Sequence, residues 1–269
     1  MKKAYHGFLN SHLLWKGDHF GMCQFELPKL TVELTNLPHV PIDRRLGHQA
    51  EFVFLQFLNS SPAFEVIAHS IQLIDNKRTL GELDYIIRNK ATNEILHIEL
   101  TYKFYILDPS QPEGVDQLVG PNRKDTFVKK LNKTKNKQLP LLFSDSSRAI
   151  LKDLGLTIDE IGQRVAFYGH VFLPVGMDSI DIDGLSEDCV AGNWLSSDAF
   201  EAEIGQQYLY YLPFKYEWLH IPHENQLWMN HHEIITKIAN TISEGRSVML
   251  WKKKIGKEET EIERFFVLG

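Results

Sequence analysis

One stretch of this chain, residues 81–105, constrains the fold more than any other and reads GELDYIIRNKATNEILHIELTYKFY. Its two apolar runs flank a turn-prone NKATN segment, which is the pattern of a β-hairpin. Asp84 lies near the start of the first strand, and polar and apolar residues alternate along the second. The polar residues that share one face of that second strand are His97, Glu99, Thr101 and Lys103. Carboxylates on such a face are costly to bury unless a metal, hydrogen bonds or a substrate compensates them, so we expect the chemistry here.

The composition is that of an ordinary globular protein, with 43% hydrophobic and 24% charged residues in 269. The longest apolar runs fall short of the roughly 20 residues of a membrane span, and the first residues lack the apolar core of a signal peptide. The two cysteines, Cys23 and Cys189, lie far apart and without metal-site spacing, which argues against a disulfide framework. We therefore expect a cytoplasmic protein without membrane association, while the oligomeric state stays open.

Charge is distributed unevenly along the chain. The net charge is -6, yet residues 1–148 carry 19 basic and 16 acidic side chains and the remainder carries 10 and 19. Overall acidity argues against nonspecific coating of nucleic acid, but the hairpin belongs to the basic half. Within that half, basic residues concentrate in a predicted helix over about residues 125–139.

The elements around the hairpin follow a recognisable order. A helix over about residues 43–59 carries Glu51, and a strand over 64–74 leads into the hairpin. The basic helix follows the hairpin. The only candidate domain boundary is a gradual change of composition near residue 148. We predict an N-terminal arm over 1–40, a core over 41–175 and a C-terminal α+β extension over 176–269.

This order resembles the core of the PD-(D/E)XK nuclease superfamily, which has a helical acid, a strand aspartate, then a glutamate and a lysine on the next strand. The resemblance implies an α/β fold with a restriction-endonuclease-like core, a central mixed sheet flanked by helices. It also implies that Asp84, Glu99 and Glu51 bind a metal and that Lys103 is the catalytic lysine. Hard oxygen ligands suit Mg²⁺ or Mn²⁺, which promote phosphodiester hydrolysis.

The substrate that follows from this reading is nucleic acid, DNA in preference to RNA. Basic residues beside a carboxylate site form a plausible path for phosphates, and a helix N-terminus favours anions. The residues that we predict to contact substrate are Arg123, Lys124, Lys130, Gln138 and His97. A lone histidine in a strand is, however, more often structural, and charged helix faces are commonly just solvated.

A narrower resemblance rests on the segments TLGELDYIIRN, HIELTYKFY, GPNRKDTFVKKL and GNWL. They are similar to the uncharacterised bacterial domain-of-unknown-function family 1853 over most of residues 40–230. That resemblance implies the nuclease-like fold and brings no established substrate.

The sequence departs from the superfamily pattern at Thr101, which occupies the usual lysine position. Lys103 lies two residues further, on the same face but roughly 6.6 Å along the strand. A salt bridge from Lys103 to Glu99 is a second interpretation of this lysine. Two functions therefore remain open: a metal-dependent nuclease, or a catalytically inactive nuclease-fold protein that binds nucleic acid or a protein partner.

Overall fold

The structure is a computed structural model that describes residues 2–28, 33–41, 44–203, 207–222, 226–255 and 262–269. Its strands are β1 (His12–Leu13), β2 (Asp18–His19), β3 (Met22–Cys23), β4 (Phe64–Asp75), β5 (Arg78–Asn89), β6 (Ile95–Leu107), β7 (Leu118–Val119), β8 (Ile161–Pro174), β9 (Val190–Ser196), β10 (Tyr208–Tyr211), β11 (Val248–Lys254) and β12 (Ile262–Leu268). Its α-helices are α1 (Lys3–Leu9), α2 (Leu46–Ser60), α3 (Phe127–Lys133), α4 (Asp145–Asp153), α5 (Ser197–Ala202) and α6 (His231–Ser243).

One large sheet organises the described part of the chain. It has ten strands in the main order β10-β11-β12-β9-β8-β6-β5-β4, with β1 paired to β8 and β7 paired to β6. The pairs β6–β8, β8–β9 and β9–β12 are parallel and the others are antiparallel. The predicted central mixed sheet flanked by helices is confirmed. The sheet runs without interruption from β8 into β9, so strands from both sides of residue 175 share it.

The predicted hairpin is present as β5 and β6. Strand β5 pairs with β4 along almost its whole length, but with β6 only over Tyr85–Arg88. On the other side of Tyr85, the backbones of β5 and β6 separate. This gap, bordered by β5 up to Asp84 and by β6 from Glu99 onward, positions the candidate site.

Helices cover both faces of the sheet around this gap. On one face, α2 buries Val53, Phe54 and Phe57 against residues of β6 such as Ile98 and Leu100. On the other face, Phe127 of α3 packs in a cluster that contains the β6 residue Tyr105. Side chains at alternate positions of β6 therefore enter two different cores, as the alternating sequence predicts.

Helix boundaries differ from the predictions in two places. Helix α2 begins at Leu46, and the predicted starting residue Asp43 lies outside the described residues. The predicted basic helix is α3 followed by a π-helical turn, Thr134–Gln138, and a 3₁₀ turn, Leu139–Phe143. Thr126 caps α3, because its hydroxyl oxygen accepts the backbone N–H of Lys129 at 3.1 Å. The π turn carries Gln138, one of the predicted substrate contacts.

The first residues pack against this core. Helix α1 contacts α2, and its Phe8 ring lies 4.7 Å from the Tyr168 ring of β8. Strand β1 pairs antiparallel with β8. In the part of the chain that the structure describes, no helix combines the length and the apolar character needed to cross a membrane.

Candidate active site

The gap between β5 and β6 brings the two predicted strand carboxylates together. Continuing the register of the β5–β6 ladder, in which Tyr85 faces Ile98, places Asp84 opposite Glu99. The Asp84 Oδ2 atom accepts the backbone N–H of Leu100 at 2.8 Å. This side chain thus satisfies a backbone donor of β6 where the two backbones have separated. The separation of the strands therefore creates the space in which the two carboxylates meet.

Hydrogen bonds at both oxygens fix the orientation of Glu99, which is only 1% exposed. Its Oε2 atom accepts from Gln138 Nε2 at 2.7 Å, and its Oε1 atom lies 3.0 Å from His97 Nε2. Gln138 in turn accepts from Lys130 Nζ at 2.7 Å. The π turn after α3 thus joins the predicted residues Lys130 and Gln138 to the carboxylate of β6.

His97 is a neutral partner of Glu99. Its Nδ1 atom lies 3.1 Å from Gln163 Nε2, which also donates to the Leu139 carbonyl at 2.7 Å. Nδ1 therefore accepts, and Nε2 carries the proton that it donates to Glu99. Complete burial lowers the pKa of His97 to about 4. His97 thus holds Glu99 from within the protein, and its side chain has no exposed surface.

The two carboxylates are held in an environment that opposes their ionisation. Burial, followed by the nearby Glu99 charge, raises the pKa of Asp84 well above its ordinary value. Burial also raises the pKa of Glu99 to about 7, although Lys130, the Asp84 backbone and Gln138 act in the opposite direction. Like charges in a buried site are unfavourable without a compensating cation.

Lys130 is a cation whose charge lowers the pKa of both Asp84 and Glu99. Burial, then the positive charge of Lys133, lowers the pKa of Lys130 to about 8, while Asp84 and Glu99 partly counter this shift. Lys103, the predicted catalytic lysine, instead pairs with Asp125, with 2.7 Å between Nζ and Oδ2. The ion pairs of the described residues do not include one between Lys103 and Glu99. Thr101, at the usual lysine position, is buried.

Glu51 approaches the site from α2. Burial raises its pKa, and among its charged neighbours are Glu82 and Lys130. Glu51 also adds to the raised pKa of Asp84. The sequence reasoning missed Glu82, whose charge raises the pKa of both Glu51 and Glu99. Its position two residues before Asp84 is the signal that could have identified it.

The two predicted phosphate contacts before α3 differ in their surroundings. Arg123 pairs with Asp108 at 2.5 Å, in a loop where Ser110 also donates to Asp108. Lys124 lines a cleft of about 970 Å³ whose wall also includes Lys103. The sequence reasoning did not anticipate Asp108, Asp125 or Gln163 as partners, because each contact joins segments that are distant in sequence.

Both carboxylates retain lone pairs that a divalent ion could use. A carboxylate offers about four lone-pair sites, and the hydrogen bonds described above use two on Glu99 and one on Asp84. Acceptor capacity for a hard cation therefore remains on both groups. Among the described residues, however, no group of three or more His, Cys, Asp or Glu side chains has the arrangement of a metal site. Asp84 and Glu99 are therefore the two residues that would hold such an ion, and they would supply hard oxygen ligands and negative charge.

Comparison with known proteins identifies one family. Searches of curated proteins and of solved structures returned no match. A family model described as "Domain of unknown function (DUF1853)" matches residues 24–268, which include every residue of the site. This chain belongs to that family of unknown function.

Proposed function

We propose that the protein is a metal-dependent phosphodiesterase of the PD-(D/E)XK type that cleaves nucleic acid, DNA in preference to RNA. The observation that carries this proposal is the meeting of Asp84 and Glu99 in the gap between β5 and β6. Two buried carboxylates with raised pKa values are disfavoured in a structural role, whereas a bound cation would favour them. The order α2, β4, β5, β6, α3 supports a restriction-endonuclease-like core.

Asp84 and Glu99 would hold Mg²⁺ or Mn²⁺, with Glu51 assisting from α2. When bound, the ion would polarise the scissile phosphoryl group and lower the pKa of the attacking water. The hydrogen bonds from Leu100, Gln138 and His97 keep the carboxylates in fixed orientations before metal arrives.

Lys130 is the residue that we assign to the lysine role in place of Lys103. Its charge lies close enough to Asp84 and Glu99 for each to influence its pKa, which is about 8. Lys130 is therefore protonated at pH 7 and can stabilise negative charge that develops on the phosphoryl oxygens. Its hydrogen bond to Gln138 makes that residue a positioning residue for both Lys130 and Glu99.

A second candidate function is a nuclease-like fold that binds nucleic acid or a protein partner without turnover. The buried Thr101 and the missing third metal ligand among the described residues favour it. It predicts that divalent ions affect neither stability nor the integrity of the substrate.

The experiment that separates the two uses purified protein with labelled single- and double-stranded DNA and RNA, with Mg²⁺, Mn²⁺ or EDTA. Asp84→Asn and Glu99→Ala are compared with Asp153→Asn, an exposed acid on α4 that serves as the matched control. Isothermal titration with Mn²⁺ gives a readout that does not depend on activity. We expect metal-dependent cleavage and Mn²⁺ binding in the wild type and control only. Intact substrates and absent Mn²⁺ binding in the wild type would overturn the proposal.

A further inference from the structure

The cleft beside the carboxylates has the charge of an anion-binding site. Five cationic side chains line it: Arg44, Arg45, Lys103, Lys124 and Lys215. Asp125 is the one acid on its wall among the described residues. The cleft is thus strongly basic although the whole chain carries a net charge of -6. Its volume of about 970 Å³ lies near the top of the roughly 300–1,000 Å³ range of ligand sites.

The cleft and the carboxylate site share two elements: Leu46 of α2 and Lys103 of β6 line the cleft, and Glu51 and Glu99 lie on the same two elements. Arg44 is close enough to lower the pKa of Glu51, and Lys103 is close enough to lower that of Lys130. A phosphate chain held by the cationic wall would therefore lead towards Asp84 and Glu99.

Aromatic rings stand at the edge of the same cleft. Tyr216 lines it, and the Phe214 ring stacks on Tyr216 with centroids 5.3 Å apart and planes 9° apart. Phe214 is 67% exposed and Tyr216 is 37% exposed. Deeper in the wall, Lys215 Nζ lies 5.5 Å from the centroid of the Trp218 ring. Exposed parallel rings beside cations provide the two contacts that an unpaired nucleotide needs, stacking for the base and charge for the phosphate.

We propose that this cleft binds single-stranded nucleic acid, with unpaired bases stacked on the Phe214–Tyr216 pair. The phosphates bind Arg44, Arg45, Lys124 and Lys215, while Lys103 pairs with Asp125. A paired base buries its faces between its neighbours and cannot reach these rings, so the cleft discriminates against duplexes. This inference names the substrate class of the proposed function. It rests on that function only for the cleavage step at the carboxylates.

Binding is measured in EDTA, where cleavage does not occur. A failure to bind single strands is therefore distinguishable from a failure of the phosphodiesterase proposal. Fluorescence anisotropy with a labelled 15-nucleotide oligothymidine and a 15-base-pair duplex is recorded over a series of salt concentrations. We expect the single strand to bind at least tenfold more tightly than the duplex. Equal affinity for the two would overturn the proposal.

Two variants separate stacking from charge. Phe214→Ala with Tyr216→Ala is expected to weaken single-strand binding by about tenfold or more while leaving the salt dependence unchanged. Lys124→Gln with Lys215→Gln is expected to weaken binding and to reduce the logarithmic salt slope by about 1.4, or about 0.7 for each phosphate contact. Phe143→Ala and Lys237→Gln, at exposed positions outside the cleft, are the matched controls and should bind as the wild type does.

Competitors test the class of ligand. Unlabelled oligothymidine should displace the probe, whereas polyglutamate and thymidine monophosphate should not do so at equal charge concentration. Displacement by polyglutamate would show a general polyanion surface, and displacement by the mononucleotide would show a site for free nucleotides. Either result, or wild-type affinity in the aromatic variant, would overturn the proposal of a single-strand site.

Discussion

Strand β6 carries two buried polar clusters, one on each face of the sheet, and the two differ in how their charges are balanced. On the α1 side, Tyr102 belongs to a chain of neutral groups that ends at one cation. On the α3 side, Glu99 belongs to a group of carboxylates in which the charge of Glu99 raises the pKa of Asp84 and the charge of Glu82 raises the pKa of Glu99. Both lie within a few residues of each other, so burial alone does not distinguish them.

The first cluster is a chain in which each donor has an acceptor. Arg264 donates to His170 Nδ1 at 2.9 Å, so His170 Nε2 carries a proton and donates it to the Tyr102 hydroxyl at 2.6 Å. Tyr102 then donates to Ser11 Oγ at 2.8 Å, and Ser11 donates to the Gly7 carbonyl at 2.8 Å. Burial, then the Arg264 charge, holds the pKa of His170 well below its ordinary value. A directional chain of this kind stabilises the fold without any ligand.

The second cluster has fixed orientations and unbalanced charge. Hydrogen bonds hold the carboxylates of Asp84 and Glu99, yet these groups oppose each other's ionisation. The two clusters thus share burial and polarity and differ in charge balance, and like charges that the fold holds in place are the feature that favours the second as a candidate functional site. Four predictions test this contrast.

The largest expected effect is that of Asp84→Asn. The asparagine side-chain oxygen can still accept the Leu100 N–H, so the variant should fold, but one buried like charge is removed. Because the native pKa of Asp84 is raised, its carboxylate destabilises the metal-free protein at pH 8. We expect a higher Tm in EDTA, by about 2 °C per kcal/mol gained, together with a loss of cleavage of about 10²-fold or more. Calorimetry and a cleavage assay measure the two; an unchanged rate with a lowered Tm would make Asp84 a structural residue.

The next effect separates the two lysines. Lys130→Met should lower kcat by about 10²-fold, because it removes a positive charge beside Asp84 and Glu99. Lys103→Met should change KM rather than kcat, since Lys103 pairs with Asp125 in the cleft wall. In the wild type, activity should fall above about pH 8 as Lys130 loses its proton, and this limb should be missing in Lys130→Met. The reverse pattern, in which Lys103→Met lowers kcat, would show that Lys103 is the catalytic lysine, as the sequence predicts.

Ser11→Ala tests the other cluster. It leaves the buried Tyr102 hydroxyl without its acceptor and should lower the free energy of unfolding by about 1–3 kcal/mol. Cleavage and Mn²⁺ binding should be unchanged. Ser186→Ala, which removes an exposed hydrogen bond to Asp188, is the matched control and should change stability by less than about 0.5 kcal/mol. Denaturant unfolding measures both, and a loss of Mn²⁺ affinity in Ser11→Ala would show that the clusters are coupled.

The smallest effect is the pH dependence of metal stabilisation. Glu99 has a native pKa of about 7 against an ordinary value of 4.5, so as pH rises between these values the unfolded state ionises first and stability is lost. A bound metal must displace the proton, and the apparent Mn²⁺ affinity should fall by up to about tenfold for each pH unit below 7. The increase in Tm produced by Mn²⁺ should therefore be larger at pH 8 than at pH 6. An equal increase at both values would show that the metal binds elsewhere.

Much of the site could be predicted from local pattern. Strict alternation in β6 placed His97 and Glu99 on one face, and the NKATN segment identified the hairpin that sets Asp84 opposite Glu99. Three other assignments depend on contacts between distant segments. The π turn presents Gln138 to Glu99, Asp125 pairs with Lys103, and the charges of Asp84 and Glu99 act on the pKa of Lys130.

The sequence by itself determined the hairpin, the order of the core elements and the two carboxylates, because periodicity and turn chemistry act between residues that are close along the chain. Only the tertiary structure decided which charged groups surround each of the two lysines. Lys103 and Lys130 are both compatible with the sequence pattern, and the choice depends on which acid each meets after α3 packs against the sheet. Lys103 pairs with Asp125, whereas Lys130 donates to Gln138 and its pKa responds to the charges of Asp84 and Glu99. The strength of a charge interaction depends on distance in space and on burial, and both are set by tertiary packing.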